Sequence, residues 1–244
     1  SYNDLIDILF EQRSTQIAAH LSSKLYKFFV SSEPNTQVTQ ELAQTLLNND
    51  FHVLPVIEQI LRSELFFDED AIGINIKSPL DLSVQLWKEA QLTHDNQNLI
   101  TIYSDCFELD QALFDPPDVS GYSAGLQWIN SSTLAGRWGM MLNFLDASFQ
   151  ANPDELLQFA QSIVPDQTVW TDPAVISRQI VDFFIIRGLN HAAEYDTATI
   201  VFKADVPQNY FDLLEWNLGL FPTANEQVLL LLKHIVRLPD FQLN

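Results

Sequence analysis

The feature that most constrains the fold is a recurring signal for a helix start, in which proline directly follows a capping side chain. It occurs at Ser78-Pro79, Asn152-Pro153 and Asp172-Pro173. The capping oxygen can accept a hydrogen bond from the unpaired amides of the first turn, and proline suits the first helical position because no amide donor is needed there. Apolar residues at helical spacing follow, so the sequence predicts a helix after each signal.

Other segments show helical periodicity without proline. Two helices are predicted near the N-terminus from one apolar face each, and a third over about residues 55–64. The faces consist of Ile17, Leu21, Leu25, Phe28 and Phe29, and then of Val38, Leu42, Leu46 and Leu47. Thr223 and Glu226 have the spacing of a capping box before an apolar helix over residues 228–236.

Strand signals are few. Only residues 72–76 and 199–203, where β-branched side chains cluster, favour short strands. With 7 glycines, the chain has few positions for the tight turns of a many-stranded sandwich or barrel. We therefore predict a mainly α-helical globular fold with at most short strands and a central Pro/Gly-rich loop.

No glycine-rich or charged linker divides the chain. The best candidate boundary is Asn152-Pro153, which separates a helical core over residues 1–150 from a C-terminal helical subdomain over residues 151–244. We expect the two parts to share a core. The Pro/Gly-rich loop near residues 114–131 is expected to be buried, with its prolines fixing an extended entry and Trp128 anchoring the turn.

Charge limits the partners. The chain carries 32 acidic and 12 basic residues, a formal net charge of −20. Such a field repels nucleic acid and anionic lipid, so a protein or a glycan is the expected partner.

No stretch approaches the roughly 20 apolar residues of a membrane span. With one cysteine, Cys106, and no close pair among the five histidines, neither a metal site nor a cofactor is predicted.

Residues 121–125, GYSAG, match the pattern that presents the nucleophilic serine of α/β-hydrolases. That pattern requires a buried strand before the turn, and the preceding segment DPPD, residues 115–118, contains paired prolines that cannot form one. The residues before the motif therefore favour a structural loop over a catalytic Ser123.

The residues after this loop form the predicted ligand-binding site, together with Tyr122 and Trp128 within it. Asn130, Ser131 and Ser132 can cap a helix running to about Phe149, whose free amides could hold a carboxylate, phosphate or sulfate. The other interpretation is that these side chains only satisfy the helix start. Nearby acids could supply the paired carboxylates of a glycoside hydrolase. They are Asp105, Glu108, Asp110, Asp115 and Asp118.

Five segments occur in an order that resembles a known family. They are KLYKFFV at 24–30, the helix over 56–62 followed by Phe66, IKSPL at 76–80, FDPPDVSGY at 114–122 and WINSSTL at 128–134. Together they resemble the bacterial domain-of-unknown-function 1800 family, over about residues 1–148 and again in the closing LPDFQLN. The resemblance implies a mostly helical bacterial protein, often exported to the periplasm or the medium. It also implies a C-terminal portion of a longer protein, but no reaction and no catalytic residue.

Two functions follow as hypotheses. The first is a binding or assembly module of the bacterial cell envelope. The second is a hydrolase acting on glycan or ester, with its site at the loop from Gly121 to Ser132. A cleft lined by this loop, with carboxylates of perturbed pKa, would favour the enzyme, whereas an exposed aromatic surface would favour the module.

Overall fold

The computed structural model describes residues 2–93, 95–122 and 125–244. The described part consists of eleven α-helices and short 3₁₀ turns, with no strand and one isolated antiparallel bridge between Ile76 and Leu243. This confirms the predicted mainly α-helical fold. Among the described helices, none combines the length and apolar character needed to cross a bilayer. The chain forms two compact units, Ser1–Asn75 and Ile76–Asn244.

Unit 1 is built from α1 (Tyr2–Phe29), α2 (Thr36–Asn48) and α3 (Leu54–Leu61). The core lies where α1 and α3 pack against α2. On α1 the buried positions are Ala18, Ser22 and Tyr26, whereas Leu21 and Phe28 of the predicted face are exposed. Leu25 and Phe29 of the predicted face pack against the core, so the prediction was partly correct. The buried Ala18 and Ser22 were missed because small side chains give little hydrophobic signal.

Unit 2 contains the other eight helices and is centred on the last of them. They are α4 (Pro79–Glu89), α5 (Asn96–Glu108), α6 (Ser131–Ala151), α7 (Pro153–Ile163), α8 (Pro173–Phe184), α9 (Ala192–Phe202), α10 (Gln208–Asp212) and α11 (Ala224–Ile235). Four helices, α6 to α9, pack against α11, and Val228, Leu232 and Ile235 of α11 are fully buried. The apolar pattern of α11 thus marks the centre of the core.

The three helices that have proline as their first residue begin where the sequence predicts. At α4, the Ser78 side chain accepts from the Asp81 amide, and the Asp81 carboxylate accepts from the Ser78 amide. At α8, the Asp172 carboxylate accepts from the amides of Ala174 and Val175. Each cap satisfies donors that the helix itself leaves unpaired. Asn152 precedes α7 without capping it through its side chain.

Three local predictions were wrong. Residues 199–203 lie at the end of α9 and in its C-cap, where burial of Ala198 and Phe202 outweighs the strand preference of their β-branched neighbours. Residues 72–76 form a turn that ends in the single bridge of Ile76. Thr223 makes no capping hydrogen bond to the first turn of α11, and its hydroxyl instead contacts the Gln227 side chain.

The Pro/Gly-rich loop is also placed differently from the prediction. Phe114 is 97% exposed, and residues 113–120 all lie at the surface. Water can pair with the backbone groups of such a loop, which burial would leave unsatisfied.

The two compact units divide after Asn75. The boundary predicted at Asn152 falls between α6 and α7, whose Leu145 and Leu156 belong to one core.

Candidate functional site

A polar groove separates α5 from α6 in unit 2. Both helices pack against α4, and Ser83 of α4 lines the groove between them. The groove, named here the α5–α6 groove, consists of two clefts of about 220 and about 200 Å³ that share Asp105 and Met140. The first is also lined by Glu108, Leu109, Ser132, Thr133 and Gly136, and the second by Ser83, Asn98, Thr101, Ile102, Asn143, Phe144 and Ala147.

Gly136 allows the end of α5 to approach α6. A Cβ atom at this position would lie 2.7 Å from Cδ2 of Leu109, which is closer than two carbon atoms can pack. Leu109 is the C-cap of α5, so this contact sets where the helix ends relative to α6. The Gly136–Leu109 contact therefore fixes one end of the groove.

The start of α6 is closed by its own cap. Asn130 Oδ1 accepts from the amides of Ser132 at 2.9 Å and Thr133 at 3.0 Å. The Thr133 hydroxyl in turn accepts from the Asn130 amide and donates to the Trp128 carbonyl. Two of the amides that could hold an anion are thus occupied by a side chain, while Ser131 is exposed beside them. Ser132 and Thr133 also line the groove.

Tyr122 and Trp128 lie outside this groove lining. The Tyr122 hydroxyl donates to the Ala112 carbonyl and so ties the loop to the end of α5. Trp128 is half-buried, and the Arg137 guanidinium carbon lies 5.3 Å from its ring centroid. Of the five predicted site residues, Ser132 is the one that the groove brings together with Asp105. Ser123, the serine of the hydrolase pattern, lies outside the described residues.

The groove is acidic in character. Burial raises the pKa of Asp105 above its ordinary value, and the neighbouring Glu108 carboxylate adds to the rise. The two residues lie one turn apart on α5, on the same side of the helix. No lysine, arginine or histidine occurs among the described residues that line the groove. The arrangement offers a carboxyl group with a raised pKa, beside hydroxyl and amide groups that can bond to sugar hydroxyls.

A second surface lies on another side of α5 and was missed from the sequence. Leu99, Tyr103 and Phe107 follow one another at four-residue intervals and are 47%, 47% and 59% exposed. We name this row the α5 apolar face. Ile102 and Cys106, on the adjoining side of the helix, are buried. The capping box of Asp95 and Asn98 was the sequence signal that could have revealed the helix.

The α5 apolar face continues into a third cleft. This Phe107 cleft, of about 290 Å³, is lined by Phe107, Asp110, Ala112, Asp115, Pro116 and Pro117. Two carboxylates therefore stand beside an aromatic ring and two prolines. Asp110 and Asp115 are two of the five acids that the sequence offered as possible paired carboxylates, and the structure places them in a different cleft from Asp105 and Glu108.

A buried basic cluster was also missed. The Lys77 ammonium donates to the Phe241 carbonyl, and the Arg137 guanidinium donates to the Lys77 carbonyl and to Gln242 Oε1. Lys77 and Arg137 are 4% and 1% exposed. Burial lowers the pKa of Lys77 to about 8 and that of Arg137 to about 10. The cluster holds the closing residues LPDFQLN in place, which gives this segment a structural role.

Comparison with known proteins identifies one family. The family model described as "Protein of unknown function (DUF1800)" matches residues 1–243. The match extends beyond the segments that carry the resemblance, since it includes α7 to α11. Searches of curated proteins and of solved structures gave no significant match. The chain belongs to the DUF1800 family.

Proposed function

We propose that the protein is a binding or assembly module, and that it acts in the bacterial cell envelope. The observation that carries this proposal is the α5 apolar face. Monomeric proteins seldom leave a contiguous row of large apolar side chains in water unless a partner covers it. Leu99, Tyr103 and Phe107 form such a row, and Ile100 beside them is also exposed.

The shape of the surface favours a protein partner. Aromatic residues contribute most of the binding energy at many protein interfaces, and here Tyr103 and Phe107 lie on successive turns of one rigid helix. Burying this face would stabilise a complex by about 25 cal/mol for each Å² of apolar surface removed from water. The envelope location is inferred from the family resemblance, which implies export.

Site-specific photo-crosslinking in the host bacterium tests this proposal. A photoreactive phenylalanine derivative is placed at Phe107 or Tyr103, and, as a matched control, at Ile200, which is exposed on α9. We expect a discrete crosslinked product in the envelope fraction from positions 107 and 103, because both rings lie in the covered face. Identical product patterns from all three positions would contradict a binding role for this face.

A hydrolase acting on glycan or ester is the second candidate. It is favoured by the perturbed pKa of Asp105, which lies in one cleft with Glu108 and Ser132. Paired carboxyl groups serve as acid and as base or nucleophile in glycoside hydrolysis. Glycan or ester hydrolysis by the purified protein, lost in Asp105→Asn and retained in Asp118→Asn, would support this candidate. Activity equal in both variants, or none in the parent, would exclude the groove as an active site.

A further inference from the structure

We infer that the partner segment for the α5 apolar face is a basic amphipathic helix, with one lysine or arginine side chain seated in the Phe107 cleft. This inference rests on the proposed binding function and names the chemistry of the partner. It is carried by the spacing of the exposed apolar residues, by the charge around them and by the composition of the cleft.

The spacing fits a helical partner. Leu99, Tyr103 and Phe107 lie on three successive turns of α5, so the row extends for about 12 Å along the helix axis. A partner helix presents apolar side chains at intervals of three and four residues, which match such a row when two helices lie side by side. The partner therefore requires apolar residues on at least three successive turns.

The charge of the chain segment that carries the face favours a basic partner. Residues 89–136 include seven acidic residues and neither lysine nor arginine. The acids are Glu89, Asp95, Asp105, Glu108, Asp110, Asp115 and Asp118. Like charges on a partner would be repelled, whereas lysine and arginine beside its apolar stripe would accelerate association and fix its orientation.

The Phe107 cleft fits one basic side chain in detail. Phe107, Pro116 and Pro117 supply an apolar wall for the methylene groups of lysine or arginine. The carboxylates of Asp110 and Asp115 line the same cleft and can accept hydrogen bonds from the charged end group. An acidic or purely apolar side chain would leave those carboxylates unpaired.

The cleft is preformed by the way α5 ends. The Gln111 amide donates to the Cys106 carbonyl at 2.8 Å, and the Asp110 amide donates to the Phe107 carbonyl at 3.1 Å. This pair of bonds is a Schellman motif, with Asp110 at a positive φ of 58°. The Tyr122 hydroxyl fixes the Ala112 carbonyl from the loop side. The part of the cleft that α5 contributes is thus ordered before a partner binds, which lowers the entropic cost of association.

Binding of designed peptides tests the inference. Three helical peptides share one apolar stripe and differ in their flanking residues, which are lysine, glutamate or glutamine. Fluorescence anisotropy with the full chain should show binding of the lysine peptide alone or at least about tenfold more tightly than the others, weakening as salt is raised. Phe107→Ser should reduce affinity for the lysine peptide by more than about tenfold, because it removes the aromatic wall.

A charge-matched pair of variants separates the cleft from the general field. Asp110→Asn/Asp115→Asn removes two charges inside the cleft, and Asp196→Asn/Asp212→Asn removes two exposed charges from α9 and α10. We expect roughly tenfold weaker binding from the first pair and less than about twofold from the second. Circular dichroism of each variant should equal that of the parent.

The outcomes divide clearly. Equal loss from both double variants, or equal affinity for all three peptides, would overturn the inference. A photo-crosslinked partner at position 107 that lacks a basic helix would also overturn it, while leaving the proposed binding function intact. Absence of both peptide binding and a crosslinked partner would overturn both proposals.

Discussion

At the scale of single residues, Lys77 is a basic side chain that lies almost entirely out of contact with water. Its ammonium group lies in the core of unit 2 and donates to a backbone carbonyl, that of Phe241. Burial lowers its pKa to about 8, and the carboxylates of Glu89 and Asp81 offset only part of that effect. A buried lysine of this kind costs stability wherever it must remain charged.

This cost predicts that the free energy of unfolding rises with pH in the alkaline range. The pKa of Lys77 is about 8 in the folded protein, against an ordinary value of 10.5. Between these two pH values the unfolded chain binds more protons than the folded protein does, so the free energy of unfolding should rise with pH. From about pH 7 to about pH 9, the parent should gain about 1 kcal/mol from Lys77. Urea unfolding at the two pH values should show this gain in the parent and not in Lys77→Met.

The buried thiol of Cys106 sets the upper end of the pH range in which the effect of Lys77 can be measured. Burial raises the pKa of its thiol from 9.0 to about 11, so its contribution to stability falls as pH rises through that range. Measurements should therefore stop near pH 9. An equal gain in Lys77→Met would assign the pH dependence to another group.

At the scale of elements, α2, α4 and α5 end in the same way without glycine. Each is followed by a residue in the left-handed region, Asp50, Gln91 or Asp110, at φ values of 48°, 54° and 58°. At α4 the Leu92 amide donates to the Trp87 carbonyl, and the Gln91 amide donates to the Lys88 carbonyl. None of the 7 glycines lies at these positions, so the caps are formed by residues for which the left-handed conformation is sterically unfavourable.

Replacing Gln91 with glycine should therefore stabilise the protein. Glycine removes the steric penalty of the left-handed conformation, and part of the gain is offset by the greater freedom of glycine in the unfolded chain. We expect Gln91→Gly to raise the free energy of unfolding by about 0.5 kcal/mol and Gln91→Val to lower it by about 1–2 kcal/mol. Thermal unfolding of both variants is the measurement, and a stabilised valine variant would contradict the assignment of this cap.

Helix starts could be predicted from the sequence because capping is local. Ser78 and Asp172 bond to amides within three residues, so spacing alone identifies them. The buried face of α1 could be predicted only in part, because Ala18 and Ser22 become buried only when α1 packs against α2. Short β-branched runs such as residues 199–203 have the same local signal in a strand and in a buried helix.

The candidate site likewise combines local features that the sequence predicts with contacts between elements that it does not. The capping role of Asn130 follows from its position before α6, and the sequence predicts it. The α5–α6 groove depends on Leu109 meeting Gly136, a contact between residues of different helices that no spacing reveals. The exposure of Phe107 likewise depends on which side of α5 meets α4, and therefore appears only in the assembled unit.

At the scale of the whole molecule, the last residues of unit 2 complete its core. Ile76 pairs with Leu243, the Lys77 amide donates to the Gln242 carbonyl, and Phe241 is fully buried against Phe184. The first and last residues of the unit are thus joined to each other. The stability of unit 2 therefore depends on this short last segment.

Removing one aromatic ring from this segment should be severe. Phe241→Ala deletes a fully buried side chain, and we expect a loss of about 3–5 kcal/mol in the free energy of unfolding. Asn244→Ala, three residues later and exposed, should change it by less than about 0.5 kcal/mol. Denaturant unfolding followed by circular dichroism compares the two, and a loss below about 1 kcal/mol for Phe241→Ala would show that the segment is dispensable.

The joined ends of unit 2 also set the order of events during synthesis. The bond from Lys77 to Phe241 spans 164 positions along the chain. A ribosome adds residues one at a time at about 5–20 per second, so Lys77 waits roughly ten seconds or more for the carbonyl that receives its hydrogen bond. Throughout that interval its ammonium group and the apolar surface meant for Phe241 remain open to water. A nascent chain of this protein therefore exposes an incomplete core of unit 2 until Phe241 has left the exit tunnel, and chaperones have that long to bind it.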